Sequence, residues 1–185
     1  MITDIIYNGS VESRLAASRY IYRQLAEQLR VDESFMSEFT LLLLYANAVG
    51  SHMTAMKLGL LCTRCSSQLS GGCCSLYMGG ETDSLQMLMN LLAGIDVQVV
   101  RNDANECIFL GETGCIFLFK PMFCLNYNCS HIHQAATSAQ REELERLTGV
   151  LLTKQFEVEQ YLLALIRRDK ADVAKDFPYN RRFPL

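Results

Sequence analysis

The sequence lacks several features that mark whole classes of protein. It has no tryptophan, only three prolines among 185 residues, and no low-complexity tract. Its basic residues form no long run and do not alternate with aromatic residues, so the sequence does not predict nucleic-acid binding. The formal net charge of −3 agrees with that expectation. The length is sufficient for one compact domain with its own hydrophobic core.

Targeting and membrane-spanning patterns are missing as well. The first residues, MITDIIYNGS, include Asp4 and lack a basic stretch followed by an apolar run, so they do not predict a signal peptide. The most apolar segment, 40–49, is shorter than the roughly 20 residues that span a bilayer. We therefore expect a cytoplasmic protein without membrane contact. Its thiols should stay reduced, which makes disulfides a poor explanation for its cysteines.

All eight cysteines lie between residues 62 and 129. Their distribution divides one predicted domain, 1–185, into a helical shoulder at 1–61, a cysteine-rich module at 62–133 and a second helical shoulder at 134–185. The sequence thus predicts a mainly α fold, a helical domain with a central cysteine-rich metal-binding module that contains a small β-hairpin.

The first shoulder has apolar residues at helical spacing. Ser10 is a plausible N-cap for a first helix, and Asp32 can begin a second helix that runs towards Gly50. A third helix at about 51–61 would then lead the chain to the first cysteine.

The middle of the chain mixes helix and strand signals. Asp83 can cap a helix that stops at Gly94, and residues 96–100 indicate a short strand. Residues 106–110 and 115–119 are rich in β-branched and aromatic residues around a glycine-flanked turn, which predicts a β-hairpin.

The last shoulder predicts one long amphipathic helix. Thr137 and Gln140 have the spacing of a capping box. An apolar stripe comes next, made of Leu144, Leu147, Leu151, Val158, Leu162 and Leu165. We expect this stripe to pack on its own domain, with a homodimer through the C-terminal helix as the alternative.

The first cysteines form a C-x2-C unit, Cys62 and Cys65, followed by the adjacent pair Cys73 and Cys74. Two intervening residues let both sulfurs of the first unit face one tetrahedral metal or a cluster. The same spacing serves thiol–disulfide exchange, but the βαβ pattern that usually accompanies it is missing. Neighbouring side chains point in different directions, so the adjacent pair can serve two centres.

The spacing of the remaining cysteines does not decide whether they share a centre. Cys107 and Cys115 fall on the two strands of the predicted hairpin, and they share a face only if its loop has three residues. Cys124 and Cys129 would diverge by about 140° on one continuous helix, so they share a centre only if the helix unwinds between them.

A lone cysteine is most often a small buried apolar residue, but eight in one third of the chain favour metal ligands. Thiolates select zinc, copper(I) or iron–sulfur clusters over hard cations. The sequence therefore predicts metal ligands at Cys62, Cys65, Cys73, Cys74, Cys107, Cys115, Cys124 and Cys129.

The order of these cysteines over residues 62–130 resembles the CxxCxxCC family, described as a zinc- or iron-chelating domain. The chain departs from the family pattern in the seven residues between Cys65 and Cys73, and in Lys120 and Leu125 where arginines usually stand. The resemblance implies metal or cluster binding. One relative, the flagellin lysine N-methylase, is thought to combine such cysteines with an iron–sulfur cluster.

We expect a [4Fe–4S] cluster, with zinc as the alternative. Water and oxygen would be excluded from a cluster by apolar residues around the hairpin, namely Ile108, Phe109, Ile116, Phe117, Phe119 and Phe123. His131 and His133 come after the last cysteine and are either extra ligands or part of a polar segment.

Two classes of function are consistent with this expectation. The metal is either structural or sensing in a binding module, or it serves a redox or group-transfer enzyme that acts on protein side chains. A cavity lined by His131, His133 or Lys120 would favour the enzyme. The predicted partners are the metal ion or cluster, with a protein partner left open.

Overall fold

The computed structural model describes residues 6–67, 72–101, 105–126 and 129–168. The fold is mainly helical and includes a small antiparallel sheet of two strands. The helices are α1 Val11–Val31, α2 Glu33–Ala55, α3 Leu58–Ser66, α4 Leu76–Gly80, α5 Ser84–Leu92, α6 Met122–Asn126, α7 Ser130–Ala135 and α8 Ser138–Arg168. The strands are β1 Leu110–Gly111 and β2 Gly114–Cys115. Among the helices described, none combines the length and apolar character that crossing a membrane requires.

The predicted helix starts are confirmed where a polar side chain caps the first turn. Ser10, Asp32 and Asp83 each accept a hydrogen bond from the backbone amide three residues later, at 3.3, 3.0 and 2.8 Å. Each cap satisfies an amide that the helix itself leaves without a partner, which is typically worth about 1 kcal/mol.

The capping box before α8 is also confirmed. The Thr137 amide donates to Gln140 Oε1 at 2.9 Å, and the Gln140 amide donates to Thr137 Oγ1 at 3.2 Å. The apolar stripe of α8 packs mainly against α2 of the same chain. Its buried members are Leu144, Leu151, Val158, Leu162 and Leu165, while Leu147 is partly buried. A homodimer through this helix stays a prediction.

The predicted boundary at Gly50 is wrong, because α2 continues to Ala55. A single glycine costs a helix only about 1 kcal/mol relative to alanine, and α2 is held along its length by packing on α8. The break comes instead at Met56 and Lys57, where Lys57 adopts a left-handed backbone with φ of 58°. Helix α3 then begins at Leu58.

The predicted strand at 96–100 is also wrong. The amides of Val100 and Arg101 both donate to one carbonyl, that of Ile108, at 2.9 and 3.3 Å. Two donors on a single acceptor do not form the alternating ladder of a strand pair, so the segment lies beside the hairpin without joining its sheet.

The predicted hairpin is confirmed, but it is shorter than expected. Leu110 pairs with Cys115 and Gly111 with Gly114, which leaves a turn of two residues, Glu112 and Thr113. Of the first predicted run only Leu110 lies in β1, because the Leu110 amide donates back to the Cys107 carbonyl at 3.0 Å and so forms a turn before the strand.

One aromatic group links the main core across the chain. The ring of Phe35 lies 5.3 Å from Phe39 and 5.5 Å from Tyr161, and Phe39 meets Phe119 edge-on at 5.7 Å. Phe119 comes from the cysteine-rich module and is fully buried. Both shoulders and the module therefore contribute to one hydrophobic core.

A buried amide side chain fixes the segment after the hairpin. Asn90 of α5 is fully buried, and its Oδ1 accepts from the amides of Leu118 and Phe119 at 2.8 and 3.0 Å. Its Nδ2 donates to the Phe119 carbonyl at 2.8 Å, as does Nε2 of Gln86 at 2.6 Å. Side chains thus replace the backbone partners that this non-regular segment lacks.

We expect Asn90→Ala to lower the free energy of unfolding by about 3 to 5 kcal/mol, because it leaves two buried amides without acceptors. Urea denaturation followed by circular dichroism measures this loss. The control is Asn47→Ala on the exposed face of α2, which should change stability by less than about 0.5 kcal/mol. Equal midpoints for the two variants would contradict the assigned role.

Candidate metal centre

Five cysteines from separate segments meet in what we call the thiol cluster: Cys62, Cys65, Cys73, Cys74 and Cys129. The Cys74 thiol hydrogen-bonds with Cys62 and Cys73, and Cys73 hydrogen-bonds with Cys129. Cys65 lies within electrostatic range of three of these thiols. The structure therefore brings the C-x2-C unit, the adjacent pair and the last cysteine together.

Helix α3 supplies two members of the cluster. Cys62 and Cys65 are three residues apart on it, so both side chains lie on one side of the helix. Cys129 stands at the start of α7, which packs against α3. A Cβ on Gly72 would lie 3.0 Å from both Cys65 Sγ and the Ser66 Cα, so glycine permits this close approach of the chain.

Backbone hydrogen bonds join the adjacent pair to the hairpin region. The Cys107 amide donates to the Cys74 carbonyl at 3.0 Å, and the Leu76 amide donates to the Asn105 carbonyl at 3.0 Å. An isolated bridge between Ser75 and Glu106 lies between them. These bonds hold Cys107, just before the hairpin, beside Cys74.

A buried ion pair reinforces the same junction. Glu106 is only 7% exposed, forms an ion pair with Arg101 and accepts from Ser66 Oγ at 3.1 Å. Arg101 Nε also donates to the Leu110 carbonyl at 2.5 Å. Since Ser66 follows Cys65 and Glu106 precedes Cys107, this pair fixes α3 relative to the hairpin.

The other three cysteines, which we call the cavity thiols, are Cys107, Cys115 and Cys124. They line a cavity of about 420 Å³ that also reaches Cys62 and Cys74 of the thiol cluster. Cys124 is in electrostatic range of both other cavity thiols and of Cys73 in the thiol cluster. The eight predicted ligands thus form two neighbouring groups, five in the cluster and three beside it.

Cys107 and Cys115 share the cavity although the hairpin turn has two residues. We expected such sharing only with a turn of three residues, and that expectation is wrong. It assumed that both cysteines lie on paired strands, whereas Cys107 precedes β1 and its carbonyl accepts the hydrogen bond that closes the turn before that strand. The alternation of strand faces therefore does not apply to it.

Cys124 and Cys129 do not share a group. Cys124 lies in α6, which ends at Asn126, whereas Cys129 has an extended backbone before α7 begins at Ser130, so the two are not on one continuous helix. Cys124 nevertheless lines the cavity, and Cys129 belongs to the thiol cluster.

Lys120 brings a positive charge to the cavity. Its side chain lines the cavity, and its Nζ donates to the Phe117 carbonyl at 2.9 Å. An ammonium group has three donors, so two remain for a ligand. His131 is half-buried and His133 exposed on α7, and neither belongs to the described lining of the cavity.

Hydrogen bonds between thiols give the cysteines of the thiol cluster different pKa values. Hydrogen bonding by Cys74 lowers the pKa of Cys73 to about 6, and it also lowers the pKa of Cys62. Because Cys74 is the donor in both bonds, they raise its own pKa. Burial raises the pKa of Cys65, and loss of water around the Cys124 sulfur raises the pKa of Cys124 to about 12, although the residue as a whole is exposed. Cys73 therefore loses its proton more readily than a free thiol does.

The thiols are close together but are not yet arranged around one point. In the part of the chain that the structure describes, which includes all eight cysteines, no group of three or more histidine, cysteine, aspartate or glutamate side chains has the arrangement to hold a metal ion. Metal binding would thus require local adjustment of these side chains.

Most of the predicted apolar shield is present. Ile108, Phe109 and Phe117 are buried in a second core cluster, and Cys107 and Cys115 pack against it. Phe119 belongs to the main core and Ile116 is partly buried. The prediction is wrong for Phe123, which is 57% exposed.

Two glycines join α3 to the hairpin, a contact that the sequence did not predict. A Cβ on Gly59 would lie 2.1 Å from the Thr113 carbonyl oxygen, and one on Gly114 would lie 2.9 Å from the Gly59 Cα. Gly114 also has φ of 125°, which disfavours any other residue. Both glycines line the cavity. The sequence feature that could have indicated this contact is Gly59, a glycine in the first turn of α3.

Comparison of the chain with models of known protein families, with curated proteins and with solved structures finds no match in any of the three. The family resemblance of the cysteine order therefore stays a prediction.

We expect Gly59→Ala to lower the free energy of unfolding by about 2 to 4 kcal/mol, because its Cβ meets a backbone oxygen that cannot move aside easily. Gly50→Ala on α2 is the matched control, since its Cβ would meet nothing within 4 Å. That control should be neutral or stabilising by up to about 1 kcal/mol. Urea denaturation of both variants measures the difference, and a stable Gly59→Ala would contradict the close contact.

Proposed function

We propose that the chain binds a metal centre through the thiol cluster, and that this centre is a [4Fe–4S] cluster, with zinc as the alternative. The observation that supports this proposal is a chain of three thiol–thiol hydrogen bonds, which joins Cys62 to Cys74, Cys74 to Cys73, and Cys73 to Cys129. Cys129 is far from the other three in sequence, so its contact with them is a property of the fold.

The donor set fits a soft metal. Sulfur ligands favour zinc, copper(I) and iron–sulfur clusters. Two sulfurs on one tetrahedral zinc lie about 3.8 Å apart, given Zn–S bonds of about 2.3 Å, which is close to the separation of hydrogen-bonded thiols. Loss of the thiol protons and small side-chain rotations would therefore convert the cluster into a metal site. The cysteine order that resembles the CxxCxxCC family supports the same conclusion.

Two observations favour iron–sulfur over zinc. The thiol cluster contains five cysteines, including the adjacent Cys73 and Cys74, which fit one mononuclear tetrahedron poorly. The buried rings of Phe109 and Phe117 lie 4.6 Å apart in the apolar cluster behind the cavity. Shielding from water and oxygen matters more to a cluster than to structural zinc.

The cavity favours a second candidate function, catalysis at the same centre. Because Cys62 and Cys74 belong to the thiol cluster and line the cavity, a molecule bound there would touch the ligands of the metal. An iron–sulfur cluster, when bound, supplies electron transfer or an exposed iron that binds substrate atoms. Lys120 would hold an anionic group of the substrate in place, and the apolar walls would limit access of water.

Metal analysis of Cys74→Ser and Cys124→Ser tests which thiols are ligands. We expect Cys74→Ser to lose nearly all iron and acid-labile sulfide, because Cys74 is central to the thiol cluster, and Cys124→Ser to keep at least about four fifths. Protein purified without oxygen is measured by elemental analysis and by its absorption near 400 nm. Circular dichroism checks that both variants are folded.

The same pair of variants distinguishes the metals. Two zinc ions held by eight thiols would appear as the loss of about one zinc from each variant. A folded Cys74→Ser with full metal content would contradict the assignment of the thiol cluster.

The charge of Lys120 is tested by alkylation of Cys124, which is solvent-exposed. We expect Lys120→Met to lower the ratio of reaction rates with iodoacetate and iodoacetamide at Cys124 by about three- to tenfold, because the ammonium attracts only the anionic reagent. The ratio cancels any change in thiolate fraction, and mass spectrometry of the Cys124 peptide measures it. Lys154→Met on α8 is the control and should leave the ratio unchanged.

A further inference from the structure

A second cavity, of about 320 Å³, lies between the start of α5, the start of α6 and the middle of α8, and we call it the acidic pocket. Three carboxylates line it, those of Glu81, Asp83 and Glu159, and its described lining includes no lysine or arginine. It contains none of the eight cysteines, so it is separate from the candidate metal centre. Its volume falls at the lower end of the roughly 300–1,000 Å³ typical of small-molecule sites.

A buried amide with an unused acceptor lies in the wall of the acidic pocket. Gln155 lines the pocket and is only 4% exposed. Its Nε2 donates to Gln86 Oε1 at 3.0 Å and lies 3.5 Å from Glu159 Oε1. Its Oε1 has no hydrogen-bond partner among the residues that the structure describes. A buried acceptor of this kind is unfavourable unless a donor reaches it, and a ligand with N–H groups would supply one.

Exposed aromatic rings stand at the mouth of the same pocket. Phe123 of α6 is 57% exposed and Phe156 of α8 is 60% exposed, and both line the pocket. Exposing these two apolar rings to water does not stabilise the fold of the isolated chain. Aromatic faces attract cations and also cover aliphatic carbon chains, so the rings suit a ligand that is cationic at one end.

The two inner carboxylates are poorly compensated. Burial and the nearby Asp83 carboxylate raise the pKa of Glu159 to about 7. Burial also raises the pKa of Asp83, and the backbone amides of Gln86 and Leu85, followed by Arg14 of α1, oppose this shift only in part. A positive charge placed between them would relieve both effects, since an opposite charge favours the ionised form.

We propose that the acidic pocket binds the ammonium group of a primary alkylamine, with Asp83 and Glu159 as the charged acceptors and Gln155 Oε1 as the third. The aliphatic chain would lie along Phe123 and Phe156. An ammonium group has three N–H donors, one for each of these three acceptors.

Two sources share this chemistry, a free diamine and the lysine side chain of a protein. Isothermal titration calorimetry of the full chain with putrescine and with Nα-acetyl-lysine methylamide distinguishes them by relative affinity. We expect at least one of the two to bind, and the Nε-acetylated form of the lysine probe, which lacks the charge, to bind at least tenfold more weakly.

Two substitutions remove charge from the acidic pocket while keeping its shape. Glu159→Gln and Asp83→Asn should each weaken amine binding at least tenfold, and asparagine can still cap α5. The matched control is Glu142→Gln, at an exposed position of α8, which should leave the affinity unchanged. Circular dichroism confirms that each variant is folded.

The binding should also depend on pH. Since an ionised Glu159 is the stronger acceptor, raising the pH from 6 to 8 through its pKa of about 7 should tighten binding by about tenfold. The ionisable groups around Glu159 are Asp83 and Tyr7, while Arg14 acts on Asp83 and Arg167 on Tyr7. Glu159→Gln should remove most of this dependence.

Three results would overturn the proposal. These are no heat of binding with either amine, equal binding of the acetylated probe, and an affinity that Glu159→Gln and Glu142→Gln leave equally unchanged. Because the pocket contains no cysteine, these outcomes do not depend on whether the thiol cluster holds a metal.

Discussion

The arrangement of both cavities depends on how three buried amide side chains hold residues 118–120. This segment is neither helix nor strand, yet its backbone is enclosed by α5 and α8, where unpaired polar groups are costly. Asn90 hydrogen-bonds with the backbone amide and carbonyl of Phe119, and Gln86 donates to the same carbonyl. Nε2 of Gln155 lies 3.5 Å from the Lys120 carbonyl oxygen and 3.0 Å from Gln86 Oε1. The three amides therefore form one connected network that holds the backbone of the segment and, with it, the start of α6.

Residues 120–124 form a wall between two sites of opposite charge. Lys120 and Cys124 line the cavity beside the thiol cluster, while Met122 and Phe123 line the acidic pocket. The first cavity has lysines in its lining, and the second has carboxylates. A wall only a few residues thick thus separates a site suited to anions from one suited to cations, and a small displacement of residues 120–124 would change both.

Short-range signals predicted most helix starts correctly. The caps at Ser10, Asp32, Asp83 and Thr137 depend on residues within one turn, which the sequence displays directly. The two errors in the fold have tertiary causes. Helix α2 passes Gly50 because packing on α8 outweighs the small intrinsic cost of glycine, and residues 96–100 fail as a strand because their donors converge on one carbonyl.

The candidate site was predictable in composition but not in grouping. Spacing alone placed eight cysteines in one set, whereas the structure places five in the thiol cluster and three along the cavity. The two groups are held side by side by the bond from the Cys107 amide to the Cys74 carbonyl, a contact between residues far apart in sequence. The five-and-three division bears on the metal. One [4Fe–4S] cluster needs four thiolates, which the thiol cluster supplies alone, while two zinc ions would need the cavity thiols as ligands and would close the cavity.

The sequence indicates the acidic pocket less clearly than it indicates the cysteine-rich module, because the pocket depends on the contact of two helices. Gln155 and Glu159 are four residues apart, so they lie on one face of α8. They stand beside the apolar stripe, at the edge where a helix meets its neighbours. Glu157, two residues away, faces outward and pairs with Lys154. A polar i, i+4 pair next to an apolar stripe was the signal, but only the approach of Asp83 from α5 turns that pair into a site for a cation.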